Sequence, residues 1–184
     1  ICYDYSNDSL NYWQYRKARA ANAILFYDVD ILGGQEVLHN QLQDLKQRLR
    51  GYEAVGVGRE DGKEKGEYSP LLFKKERFEL IKSGYFWLSA TPEVAGSKGW
   101  DGACERIATW AKLKDLVSGK EILVLNTHLD HVGVVARREG INLVMSRAKE
   151  LSGGAAVIIT GDFNATPDSE VIKLMTEETN PQHY

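Results

Sequence analysis

Two periodicities run along the chain. From about Trp13 to Tyr27, apolar residues such as Ala18, Ala21 and Leu25 recur at helical spacing, with Lys17 and Arg19 on the solvated side. A strand is predicted over Asp28–Val37, where Gly33 and Gly34 suggest a bend or a close backbone approach. A second helix, about Asn40–Leu49, stops at Gly51, and Tyr52–Val57 alternates like a strand. Gly58–Gly66 is a charged, glycine-rich loop. Tyr68–Lys74 and Phe78–Leu88 read as two strands joined by a turn at Lys75–Arg77. After a second Gly/Pro-rich loop over Thr91–Gly102, Arg106–Lys114 and Glu121–Asn126 form a hairpin around Ser118 and Gly119. A long helix, about Val134–Leu151, leads into the β-branched run Val157–Thr160, whose uncharged sequence suits a strand buried on both faces. A short helix over Asp168–Met175 follows a cap region at Thr166–Asp168. Helices and hairpins are interspersed without simple β-α alternation, so two sheets packed face to face with helices outside are expected.

With 184 residues, 43% of them hydrophobic, the chain can bury a real core as one domain. Its net charge is −3 and its pI about 5.9. A domain that grips nucleic acid electrostatically is usually basic, so tight non-specific binding of this kind is not indicated. Enzymes that handle a phosphoester through metal ions remain. Cys2 and Cys104 lie far apart without metal-binding spacing and read as reduced core thiols. No apolar stretch approaches a membrane span. Localisation is not readable from the sequence.

Polar clusters follow three of the apolar runs: Gln35-Glu36, Asn126-Thr127-His128 and Gly161-Asp162-Phe163-Asn164. In the last, period-two alternation aims Asp162 and Asn164 one way and Phe163 into the core. Gly, Asp and Asn are also ordinary turn residues, so this cluster alone would leave a turn as the other reading. If the three strands lie side by side, the clusters meet at one rim, as in a metal-assisted phosphoester hydrolase. Glu36 would bind the cation, and Asp162 would orient or deprotonate the attacking water. Asn164 would hold the phosphate, and His128 would donate a hydrogen bond to the developing negative charge.

The ordered motifs GGQEV (Gly33–Val37), NTHLDH (Asn126–His131) and GDFNAT (Gly161–Thr166) resemble those of the endonuclease/exonuclease/phosphatase superfamily, with its deoxyribonuclease-I-like fold. GREDGKEKGEYSPLLF, FWLSATPE and RIATW are similar to a bacterial branch of it. The resemblance covers nearly the whole chain. It implies an α/β fold built as a four-layer α-β-β-α sandwich, dependence on Mg²⁺ or Mn²⁺, and phosphoester hydrolysis. By motif, Glu36 resembles the metal-binding glutamate and His128 the phosphate-contacting histidine, and Asp162 and Asn164 resemble the catalytic Asp-x-Asn pair. Glu67 resembles the acidic partner that orients that histidine. The resemblance also implies a strand ending in Asn ahead of Ile1, and a further aspartate and a Ser-Asp-His motif beyond Tyr184. His183, in PQHY, does not match that motif. Residues 1–184 are therefore expected to be part of a longer domain, or to need a partner chain that fills the gap, and to hydrolyse weakly or not at all alone.

Other candidates carry less. Arg59 in the charged loop is a candidate clamp for a substrate phosphate, against the ordinary reading of a solvated loop. Asp130 and His131 read equally as site residues or as shapers of the turn before the long helix, and His39 as a surface or packing residue; Trp87, Trp100 and Trp110 read as core aromatics, with the floor of a substrate pocket as the other reading. The substrate (nucleic acid, sugar phosphate or lipid headgroup) is not readable, because the same core serves many esters. The competing class is a catalytically inactive fragment or binding module of the same fold.

Overall fold

The computed structural model describes residues 11–176. In chain order the elements are α1 (Trp13–Phe26), β1 (Ile31–Gly33), α2 (His39–Arg48), β2 (Tyr52–Val55), β3 (Leu71–Lys74), β4 (Phe78–Trp87), β5 (Ile107–Asp115), β6 (Glu121–His128), α3 (Val134–Ser152), β7 (Ala156–Asp162) and α4 (Glu170–Met175). One sheet is antiparallel, in the order β1-β3-β2. The other runs β4-β5-β6-β7, with β6 and β7 parallel. A parallel pair needs a crossover, and α3 supplies it.

Side-chain alternation builds the layers. In β3, Leu72 faces the outer helices and packs with Trp13, Leu42 and Leu45. Its neighbours Leu71 and Phe73 face the other sheet and meet Phe78, Leu113 and Val124. In β6, Val124 points between the sheets, while Leu123 and Leu125 pack on Ile141, Val144 and Ala148 of α3. The stack is therefore helix, sheet, sheet, helix, as expected from the sequence.

Several local expectations change. The first strand is only Ile31–Gly33, because Asp28 and Asp30 turn out to pair with Lys74 at 2.7 and 3.0 Å. Val37 keeps a single bridge to Tyr68, which itself lies ahead of β3. Lys17 is not merely solvated: it bonds Asp44 of α2 at 3.0 Å and ties the two outer helices together. The cap of α4 is Ser169, whose hydroxyl accepts from the Ile172 amide. Among the described residues β7 is an edge strand, so Val157 and Ile158 are exposed rather than buried on both faces. Cys2 and His183 lie outside the described residues.

Candidate active site

β6 and β7 run in parallel register with His128 opposite Asp162, so the two strand ends deliver both side chains to one rim. His128 Nε2 lies 3.8 Å from Asp162 Oδ2. Asn164 lies beyond the strand. It is held at φ 45° with its amide N–H donated to Asp162 Oδ1 and its Nδ2 to the Leu129 carbonyl. Phe163 packs into the core below, as alternation predicts.

Glu36 arrives from the opposite sheet. Of the three motif strands, β6 and β7 lie side by side as the sequence suggested, but β1 does not: it belongs to the three-stranded sheet and faces β6 across the sandwich. Asn126 makes that crossing. Fully buried, it donates Nδ2 to the carbonyls of Gly34 (2.7 Å) and Pro70 (3.0 Å) and accepts from Gln35 Nε2 (2.8 Å) and Thr160 Oγ1 (3.1 Å). It is therefore a stitch behind the rim rather than a rim residue. Gly33 permits the approach, since a Cβ there would strike both Thr160 Oγ1 and Asn126 Oδ1. Just past it, Glu36 sits at φ 55°. For glutamate this left-handed conformation is uncommon and costs of order 1–3 kcal/mol, a strain found most often at functional sites.

Glu36, Arg59, Glu67, Cys104, Arg106, His128, His131, Asp162 and Asn164 line one cavity of about 230 Å³. All six residues predicted from sequence are thus brought together. One expected contact is absent. Glu67 does not bond His128 but pairs with Arg59 Nη1 at 2.7 Å, and its carbonyl accepts from the Arg59 amide. A guanidinium one hairpin away competes better for the carboxylate than a neutral imidazole does. Trp87 Nε1 donates to the Arg59 carbonyl at 2.6 Å, so Arg59 is fixed on three sides, and its loop is not simply solvated.

Burial, reinforced by the nearby Arg106 charge, lowers the pKa of His128 to about 4, while Asp162 opposes the shift. The ring is therefore neutral near pH 7, and its Nδ1 is buried without a hydrogen-bond partner.

Sequence reading missed Arg106 and Cys104. Arg106 stands one residue before β5 and is 5% exposed. Its Nη2 donates to His131 Nδ1 at 3.0 Å and its Nε lies 3.5 Å from Asp130 Oδ2. The only signal was its place at the start of RIATW, a segment read for resemblance and not for chemistry. Asp130 shapes the turn, as one reading held: it accepts the amides of Val132, Gly133, Ala103 and Cys104. Burial pushes its carboxyl up, and these four donors together reverse that and hold it well below the usual carboxylate range. Cys104 is half-buried at the cavity rather than a core thiol, and burial pushes its pKa up.

Two sets of donors bear on a metal. Among the described residues, Cys104, Asp130 and His131 have donor atoms within 4.8 Å of one another. That cluster does not fit a cation, because Arg106 Nη2 already bonds His131 Nδ1 and four backbone amides already donate to the two Asp130 oxygens. The oxygen donors of Glu36, Asp162 and Asn164 on the cavity wall are the hard ligands that Mg²⁺ or Mn²⁺ favours.

The Endonuclease/Exonuclease/phosphatase family model matches residues 4–181. An endonuclease/exonuclease/phosphatase from Bacteroides vulgatus is 48% identical, with a TM-score of 0.93 over 96% of this chain and 68% of its own. The mannosyl-6-phosphatase Bt3783 of Bacteroides thetaiotaomicron is 39% identical, with a TM-score of 0.88 over 94% of this chain and 67% of its own. Human Nocturnin is 31% identical over 182 residues, covering 88% of this chain and 38% of the relative. The chain spans less than half the length of the curated relatives it matches, for example 47% of Drosophila melanogaster Protein angel. Ordered motifs, a four-layer sandwich and a match along nearly all of its length agree: the chain belongs to the Endonuclease/Exonuclease/phosphatase family.

Proposed function

We propose that this chain carries the catalytic pocket of a divalent-metal-dependent phosphoester hydrolase. The observation that supports it best is the meeting of Glu36, from one sheet, with the register-paired His128 and Asp162, from the other, on a single cavity. Glu36 would hold Mg²⁺ or Mn²⁺, which when bound withdraws charge from the phosphoryl oxygens and steadies the leaving group. Asp162, a half-exposed lining residue of the cavity, takes a proton from the attacking water. As the new P–O bond forms, the ester P–O bond breaks and the leaving oxygen is protonated from solvent. The Asn164 side chain steadies a phosphate oxygen. Neutral His128 offers a ring N–H to the charge that grows in the transition state. Glu67 acts on Arg59, holding its guanidinium for the phosphate, rather than on His128. The mannosyl-6-phosphatase likeness and the acidic pI favour a small phosphorylated substrate over duplex nucleic acid.

The test is release of phosphate or nitrophenol by the full-length protein with Mn²⁺, compared with Asp162→Asn. The variant is nearly isosteric but lacks the base, so turnover is expected to fall by about 10²–10⁴-fold with thermal stability nearly unchanged. Undiminished turnover would remove Asp162 from this role. No turnover by the parent protein on any ester would leave a binding module of the same fold.

A further inference from the structure

Among the described residues, four buried side-chain nitrogens without hydrogen-bond partners belong to residues that line the candidate cavity: Arg59 Nε, Arg106 Nε, Arg106 Nη1 and His128 Nδ1. Buried donors of this kind are rare and cost roughly 1–3 kcal/mol each, more for charged groups, unless something accepts from them. Arg106 is the more telling case. Its side chain is 94% buried, and the adjacent Asp130 already has four amide donors on its two oxygens, which leaves the Arg106 charge incompletely answered. Arg59 differs in having Glu67 as counter-ion, so it is oriented as well as charged.

We propose that Arg59 and Arg106 form a two-guanidinium clamp that makes this pocket selective for a terminal phosphate monoester. This rests on the hydrolase reading above and names its substrate class. A monoester dianion has three non-bridging oxygens and two negative charges. A diester has two such oxygens, one charge, and a second ester arm that must leave the cavity. Glu36, Asn164, Arg59 and Arg106 all line this cavity, so the two guanidinium forks are available to the oxygen that only a monoester presents. The small volume of about 230 Å³ suits a phosphoryl group with its bridging oxygen, not a strand threading through.

The experiment compares kcat/KM of the full-length protein on p-nitrophenyl phosphate and bis(p-nitrophenyl) phosphate with Mn²⁺, for the parent, Arg106→Gln and Arg106→Lys. Calorimetry of inorganic phosphate binding to the metal-free proteins runs alongside. The parent should prefer the monoester. Arg106→Gln should cut monoester kcat/KM by about 10²–10³-fold and diester kcat/KM by less than about 10-fold, and should weaken phosphate binding about 10-fold or more. Arg106→Lys keeps the charge beside Asp130, and hence the fold, but lacks the fork; it should lose most of the monoester preference. Equal losses on both esters, or phosphate affinity unchanged in both variants, overturns the clamp. If the parent hydrolyses neither ester, the hydrolase reading fails, and phosphate binding alone then decides for or against the clamp.

Discussion

His128 shows how a single residue is set by its surroundings. Burial and the Arg106 charge keep the folded pKa near 4, against 6.5 for the exposed ring. The unfolded chain therefore takes up this proton first. Stability from this group is full above pH 6.5 and is lost progressively as pH falls towards 4, by up to about 3 kcal/mol. Urea unfolding of the metal-free protein at a series of pH values should show this slope, and His128→Asn should flatten it. An unchanged slope in the variant would assign the pH dependence to other groups. At this scale the sequence was readable wherever a motif carried the residue: Glu36, His128, Asp162 and Asn164 all reach the cavity. It was unreadable where the choice of partner decides. Glu67 had two neighbours to answer, and chain position alone does not say that Arg59 wins. Arg106 opens the RIATW segment, but nothing in that segment marks it as a residue of the cavity.

Elements meet at Asn126, whose amide uses both donors and both acceptor directions across the two sheets. Asn126→Ala should leave the Gly34 carbonyl unpaired in a dry interface, with the Pro70 carbonyl keeping only the Gly34 amide, and destabilise by roughly 2–4 kcal/mol. The urea midpoint should drop while the dependence on urea concentration stays the same. A loss below about 0.5 kcal/mol would mean that water replaces the amide, which the absence of exposed surface at Asn126 argues against. Helix positions, the β5–β6 hairpin and the long crossover were legible from periodicity, since those patterns are local. The length of β1 was not. Apolar content over Asp28–Val37 predicts a strand, but Lys74 captures both aspartates and the bend at Glu36 ends the pairing. Nor could any local pattern show that β1 faces β6 across the sandwich instead of sharing its sheet.

For the molecule as a whole, the proposed cation ligands come from both sheets: Glu36 follows β1 of one, and Asp162 and Asn164 come from the end of β7 in the other. A ligand held by both should stabilise the entire sandwich, not one half. Mn²⁺ at about 100 times its dissociation constant should add about 2.7 kcal/mol, a rise of roughly 5–10 °C in Tm. Glu36→Gln should abolish most of that rise while leaving the metal-free Tm close to that of the parent. A full Mn²⁺ shift in the variant would place the cation elsewhere. Among the described residues no helix is long and apolar enough to cross a membrane. The Gln35–Asn126 bond joins positions 91 residues apart, and that separation has a consequence in time. Closing so long a loop costs entropy before any contact repays it, so such pairings tend to form late. A chain emerging from the ribosome can build α1, α2 and the first sheet while Asn126 is still unmade. Until it arrives, the face of β3 bearing Leu71 and Phe73 has no second sheet to cover it. The stitch that sets the pocket is therefore also the step before which the growing chain is most exposed to aggregation.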